Sequence, residues 1–214
     1  LYAAAVAGIA DPKLRPPVNG GAERADTVRL ALEALEPDAP EVVLVHDAAR
    51  PFASPALWAT LAAHAGTGEG AIAAEPGVLV LDVHTDADHN RSVITFAGPA
   101  NSVAEAAFAA IRLAARLIDL DQHHGEHPRI GATDVVPFIP LSGARLEDCI
   151  DLARQLGRRV GDELGIPVYL YEAAATRPER VNLENLRKGE YEGLRQAIAT
   201  DAARAPDFGP ARLG

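Results

Sequence analysis

The sequence predicts an α/β fold of the α+β kind: a ferredoxin-like βαββαβ core with a mixed sheet covered by helices, plus an N-terminal helical arm. Three observations carry this expectation. Apolar residues recur at helical spacing across two long stretches, 102–118 and 146–164. Short apolar runs rich in β-branched residues occupy 41–46, 78–84, 92–97 and 132–139. Polar, glycine- or proline-bearing turns separate these runs.

Taken in order, the opening LYAAAVAGIA is apolar but far short of the ~20 residues that span a bilayer. No basic region precedes it, so it reads as the inside of a helix or strand rather than as a signal peptide. Residues 25–35 place Val28, Ala31, Leu32 and Leu35 on one helical face. The run EVVLVH at 41–46, bounded by Pro40 and the turn DAARP, reads as a buried strand. Ser54 is a good N-cap and Pro55 a good first residue for a helix reaching about residue 65. A Gly/Ala loop at 66–75 is the one stretch whose composition suggests a seam.

Beyond the seam come strands at 78–84 and 92–97, a helix at 102–118 and a strand at 132–139. The helix at 146–164 gathers Leu146, Cys149, Ile150, Ala153, Leu156 and Val160 on one side. Gly165-Ile166-Pro167 stops it before a short strand at 168–171. One or two surface helices follow at 180–203, and APDFGP at 205–210 runs out as coil.

Composition narrows the function. A formal charge of −10 over 214 residues argues against nucleic acid as a partner, since phosphate binding needs clustered Lys and Arg. The single cysteine, Cys149, rules out a disulfide framework within the chain and suits a reducing cytoplasm. No run is apolar enough to place the chain in a membrane. Methionine is absent even at position 1, so the chain reads as a fragment or a processed product.

The most unusual stretch is HHGEHPR at 123–129, between a helix and a strand, where a loop can present side chains to a ligand. Gly125 permits tight backbone geometry and Pro128 holds His127 extended. An imidazole so constrained can act as a general base near neutral pH. Arg129 can grip a carboxylate through its planar fork. A polar surface loop accounts for the same residues. Metal binding is a third alternative, drawing on His124 and His127 or on His84, Asp86, Asp88 and His89. Neither group has a specific zinc spacing, so no metal is expected.

The segment RLIDLDQHHGEHPRIGATDVVPFIP at 116–140 resembles the signature of glutamate formiminotransferases. LDVHTDADHNRSV (81–93), PVYLYEAAATRPER (167–180), RKGEYEG (187–193) and APDFGP (205–210) follow that family's order around it. The resemblance covers residues 76–210 and is to the family's N-terminal subdomain. It implies transfer of a formimino group from N-formiminoglutamate to N5 of tetrahydrofolate, the co-substrate, with release of glutamate. It assigns the general base to His127. It makes Arg129 and Arg91 grips for substrate or folate carboxylates, and Glu126 or Asp134 the group that orients the imidazole. His84 falls where some family members place an acid. A second subdomain walls the folate site in this family, so a separate C-terminal subdomain or a homodimer is the implied partner.

Residues 20–66 resemble a different family. GGAERADTVRLALEAL (20–35) and LVHDAARPF (44–52) are similar to the middle of 2-C-methyl-D-erythritol 4-phosphate cytidylyltransferases, which implies a nucleotide-site remnant at Asp47 and Arg50. The glycine-rich triphosphate loop of that family is absent, and a cytidylyltransferase needs it to cradle phosphate. The expected organisation is an appended arm at 1–40, a formiminotransferase-like unit at 41–210 and a tail at 211–214. Within that unit, 41–66 is a borrowed strand and helix, joined at the 66–75 seam. A catalytically inactive scaffold, or a chimeric relic, is the alternative to an enzyme, and formyl in place of formimino is an alternative donor group.

Overall fold

A computed structural model describes residues 42–49, 72, 74–86, 88–141 and 143–213, the first segment through its backbone alone. The helices expected at 25–35 and 54–65 lie outside the described residues, as do the 1–40 arm and Arg50.

Among the described residues, five strands make one sheet: β1 (Val42–Ala49), β2 (Leu79–Asp86), β3 (Arg91–Gly98), β4 (Thr133–Val135) and β5 (Phe138–Pro140). Their order is β2-β3-β1-β4, with β5 also paired to β1. All the described pairings are antiparallel, which corrects the expected mixed sheet. The turn between Asp86 and Arg91 is too short for the crossover that parallel neighbours need. β1 then runs against both β3 and β4, with Val42 opposite Gly98 at one end and Ala49 opposite Arg91 at the other.

Alternation along β3 sorts its two faces. Ile94 and Phe96 enter the main core, whereas Val93 and Ala97 join a smaller apolar cluster with Leu81, Leu79, Ile139 and Leu141. β2 changes register between Val80 and Asp82. The extra residue lets Val80 and Val83 both reach the main core while Leu81 faces the other way.

Helix α1 (Ala100–Leu117) buries Val103, Ala106, Ala107, Ala110 and Ile111, a three-and-four spacing that lays one stripe on the sheet. Helix α2 (Leu146–Arg159) adds Cys149, Leu152 and Leu156 to the same core. The Asp148 carboxylate accepts the Arg145 N–H at 2.9 Å, satisfying a donor that the helix start leaves open. The helix expected to run evenly to residue 164 instead widens into a π turn over Val160–Leu164. There Gly161 meets the C-terminal segment so closely that an added Cβ would lie 2.5 Å from the Gly209 nitrogen.

Two expected strands change. The run at 132–139 divides into β4 and β5, with Pro137, which has no N–H to give a ladder, between them. The strand expected at 168–171 is a single bridge between Val168 and Phe208. The surface helices are α3 (Leu183–Arg187) and α4 (Glu190–Ala197). No helix among the described residues is long and apolar enough to cross a membrane.

Asp207 fastens the C-terminal segment. It accepts from the Leu170 N–H at 2.8 Å, from Arg180 at 2.6 Å and from the Thr176 hydroxyl. Arg180 is 1% exposed, so this is a buried ion pair, and removing one partner strands the other charge. Replacing Arg180 with Leu is expected to cost about 3–5 kcal/mol in denaturant unfolding, and the Arg180→Leu, Asp207→Leu double variant less. A single-variant loss within about 0.5 kcal/mol of zero, the range of ordinary surface substitutions, would show that the pair does not hold the segment.

Candidate active site

The loop carrying His127 joins α1 to β4, and the turn between β2 and β3 holds it from one side. Asn90 occupies that turn at φ 50°, a left-handed conformation that asparagine tolerates better than most residues. Its Nδ2 donates to the His124 carbonyl at 2.6 Å. The Asn90 carbonyl lies 3.1 Å from His123 Nε2, and the Asp88 carbonyl accepts from the Glu126 N–H at 3.2 Å. Gly125 is required by space rather than by dihedral angle. An added Cβ would sit 2.6 Å from the His89 carbonyl oxygen and 2.7 Å from the Asn90 Cβ.

Arg129 fixes the loop from the other side. It is 6% exposed, and its five N–H donors all have acceptors. Nε donates to His123 Nδ1 at 3.3 Å and NH2 to the His123 carbonyl at 3.1 Å. NH1 donates to Glu190 and Glu192, each at 3.1 Å, and NH2 to Glu192 at 2.8 Å. The hydrogen bond that Arg129 donates to Glu192 leads the interactions that hold the guanidinium above its ordinary value, and the same bond lowers the Glu192 carboxyl. The fork is filled by the protein's own carboxylates, so gripping a ligand with Arg129 requires displacing them.

His127 stands between opposite charges. Its Nδ1 lies 3.3 Å from Arg91 NH1, and its Nε2 lies 3.7 Å from the Asp134 carboxylate. The Asp134 side chain is 1% exposed. Burial alone would push its carboxyl up. The contact with His127, the Arg187 charge and bond, and the Ile130 N–H at 2.8 Å outweigh burial and hold it below the ordinary carboxylate range. The structure thus brings together three residues expected from the sequence: His127, Arg91 and Asp134.

The others are placed apart from this group. Glu126 is exposed. His84 is exposed on β2, in register with Val93, and beside it burial raises the Asp82 carboxyl while the His84 charge and the Val83 N–H pull it back. Asp47 belongs to β1, where its backbone pairs with Val93 and Val135. His89 pairs with Asp86 at 3.1 Å, and its ring stands edge-on to His127 with centroids 6.4 Å apart. Among the described residues, no group of three or more His, Cys, Asp and Glu side chains is placed to hold a metal ion.

Asn90, His123, Arg187, Glu190 and Glu192 were not among the residues expected at the site. Their signal was present in part, because RKGEYEG at 187–193 packs four charges into seven residues of an otherwise ordinary surface segment. An open cleft of about 780 Å³ lies against this segment, lined by His124, Pro128, Arg129, Arg187, Lys188 and Glu190. A largely apolar cavity of about 730 Å³, whose lining includes Asp134, lies among α1, α2, β4 and the C-terminal segment.

Two family models match the chain. Residues 67–214 match the model of the formiminotransferase domain, N-terminal subdomain. Residues 9–101 match that of 2-C-methyl-D-erythritol 4-phosphate cytidylyltransferase, so the two overlap at 67–101. A glutamate formimidoyltransferase of Thermoplasma acidophilum is 53% identical over 146 residues, 67% of this chain and 48% of the relative. The Streptococcus pyogenes protein of that name is 47% identical over 138 residues, 64% of this chain and 46% of the relative. A bifunctional enzyme IspD/IspF of Nitrobacter winogradskyi is 49% identical over 81 residues, 38% of this chain and 20% of the relative. The chain therefore spans less than half the length of these relatives.

Two outcomes follow from the geometry. Gly125→Ala forces the loop off the 89–90 turn and is expected to cost about 1–3 kcal/mol in thermal or denaturant unfolding, a range typical of overpacking; a neutral result would refute the close approach. Asp134 has a lowered folded-state value, so its stabilisation is complete above the unfolded aspartate value of about 3.9 and disappears as pH falls through the folded one. Wild type should exceed Asp134→Asn in stability at neutral pH, with the gap closing on acidification. A gap unchanged down to strongly acid pH would contradict this.

Proposed function

The chain belongs to the formiminotransferase N-terminal-subdomain family, and from that premise we propose that it is the base-bearing half of a folate-dependent one-carbon transferase. The donor in this reading is N-formiminoglutamate and the acceptor is tetrahydrofolate. N5 of the folate attacks the formimino carbon, a C–N bond forms, and the bond to the glutamate nitrogen breaks. His127 takes the proton that N5 loses and returns it to the departing glutamate amine. The observation that carries the reading is the fixed imidazole, set between Arg91 and the buried Asp134 carboxylate. An orienting carboxylate also stabilises the imidazolium formed when the base acts.

Arg91 is the proposed ligand-carboxylate grip, because Arg129 is committed to Glu190 and Glu192. Arg129 and Glu126 are then loop-shaping residues, and His84 lines the open sheet face. Half a folate groove buries little of the ligand. The described half-site is therefore proposed to bind folate weakly by itself and to turn over, in the cytoplasm, only together with a second subdomain.

The antiparallel order β2-β3-β1-β4 supports reading the sheet as a ferredoxin-like split motif. β1 lies inside the cytidylyltransferase match and outside the formiminotransferase match. We read it as a borrowed strand filling the central place in the sheet.

Calorimetric titration with tetrahydrofolate tests the function. Binding by the wild-type chain should weaken at least tenfold, about 1.4 kcal/mol, in a His127→Ala, Arg91→Ala variant. Absence of heat at any reachable concentration, from a chain that melts cooperatively, would favour a scaffold over a half-enzyme. Amide hydrogen exchange tests the strand. Protection across 42–46 should match that across 79–84 if β1 is integral, and fast exchange confined to 42–46 would rule out the borrowed strand.

A further inference from the structure

We propose that the cavity among α1, α2, β4 and the C-terminal segment is a second binding site, built for a small, uncharged aromatic molecule that carries one hydrogen-bonding group. Such a site is separate from the one-carbon chemistry proposed above. It uses neither His127 nor the open cleft beside Arg129.

Protein interiors pack as tightly as organic crystals, and the few voids they keep are rarely larger than a water molecule. This cavity measures about 730 Å³. Small-molecule pockets fall in the range of roughly 300–1,000 Å³. A water takes up about 30 Å³ of liquid, so solvent alone would need on the order of twenty molecules to fill the space. Each buried water needs about two to four polar partners. A wall that includes Ile111, Val135, Ala153, Leu156, Leu186 and Leu194 does not offer them in that number. An apolar occupant is therefore favoured over water.

The polar groups on the wall decide the rest of its chemistry. Most of them are already engaged. Asp121 accepts from the Tyr191 hydroxyl at 2.9 Å and pairs with Arg195, and Asp119 accepts from Gln122 at 2.7 Å. The Tyr169 hydroxyl donates to the Arg204 carbonyl at 2.7 Å. Asp134 accepts from the Ile130 N–H at 2.8 Å and pairs with Arg187. Thr133 is different. It lines the cavity, and its Oγ1 is buried with no hydrogen-bond partner among the described residues. An unpaired buried hydroxyl is costly, and one polar group on a ligand removes that cost.

Asp134, next to Thr133 on the wall, selects against charge. An anion would meet a like charge where screening is poor. A cation would lose its water for a carboxylate that Arg187 already balances. An uncharged molecule meets neither cost. Three of the chain's four tyrosines, Tyr169, Tyr171 and Tyr191, line the same cavity. Their rings favour a flat aromatic body, because ring pairs gain beyond the area they bury.

Indole is the probe, being flat and uncharged with a single N–H that can donate to Thr133. The chain's one cysteine, Cys149, lines the cavity at 2% exposure and reports on occupancy without engineering. Titration of the full chain, followed by ligand-observed NMR, should show saturable indole binding. Saturating indole should also protect Cys149 from methyl methanethiosulfonate. Thr133→Val, which exchanges the hydroxyl for a methyl, should weaken binding about three- to tenfold, the value of one hydrogen bond. Indole-5-carboxylate should bind at least about tenfold more weakly than indole, because its charge meets Asp134. Ala153→Phe, which fills the cavity from α2, should abolish binding; Thr133→Val carries the test if that variant does not fold.

Indole binding that both variants leave unchanged lies elsewhere and overturns the proposal. Equal affinity for the carboxylate overturns it too. So does the absence of saturable binding by a chain that melts cooperatively, which is the result expected if another segment or a second copy of the chain fills the space. No folate or one-carbon donor enters the experiment, so its outcome is independent of the function proposed above.

Discussion

Arg129 is a charge that the fold has taken out of water, and the local architecture follows from the need to satisfy it. A buried cation without partners is costly, so such groups persist only with every donor engaged. Two acceptors come from His123 on the same loop and three from Glu190 and Glu192 on α4. The second set cannot be met unless α4 docks beside the loop. Docking α4 also brings up the end of α3, where Arg187 reaches Asp134. Asp134 in turn faces His127. The catalytic candidate is oriented through a chain of contacts that starts from a different residue two positions away.

The opposite side of the loop is held without charge. Asn90 and Gly125 bring two backbones close together, and His123 uses both ring nitrogens to bridge them, one to the Asn90 carbonyl and one to Arg129. The loop is therefore clamped between a hairpin turn and a C-terminal helix. That geometry suits a positioned base, because the imidazole reaches its partners without help from a ligand.

The two hairpin strands and the two long helices after residue 76 were legible in the sequence, because each carries its own apolar period, whereas the run at 132–139 divides and that at 168–171 forms only a bridge. His127, Arg91 and Asp134 were legible through the family signature. The paths of the C-terminal contacts were not. Nothing in the period of 183–197 says that Arg187, Glu190 and Glu192 turn toward a loop some 60 residues earlier. The π turn after α2 was hidden for a related reason. Its cause is the approach of Gly161 to Phe208 and Gly209, a contact between segments that local propensity does not encode. Gly125 was singled out for tight backbone geometry, and the structure adds that a neighbouring backbone, rather than a dihedral angle, is what requires it.

The proposed role of β1 concerns what a sheet demands of its central strand. Backbone ladders are blind to side-chain identity, so a strand from an unrelated parent can pair if its length and register suit both neighbours. β1 meets that demand with eight residues, all eight in register with β3, whose other edge carries β2. Specificity has to come from elsewhere. The active-site candidates lie on the β3 side of the hairpin, on the α1–β4 loop and at the start of β4, all within the formiminotransferase match. A replacement confined to β1 therefore changes the support beneath the site without supplying any member of the His127–Asp134–Arg187 chain. The proposed borrowed strand and the proposed chemistry are compatible because hydrogen-bonded pairing and side-chain placement are set by different parts of the chain.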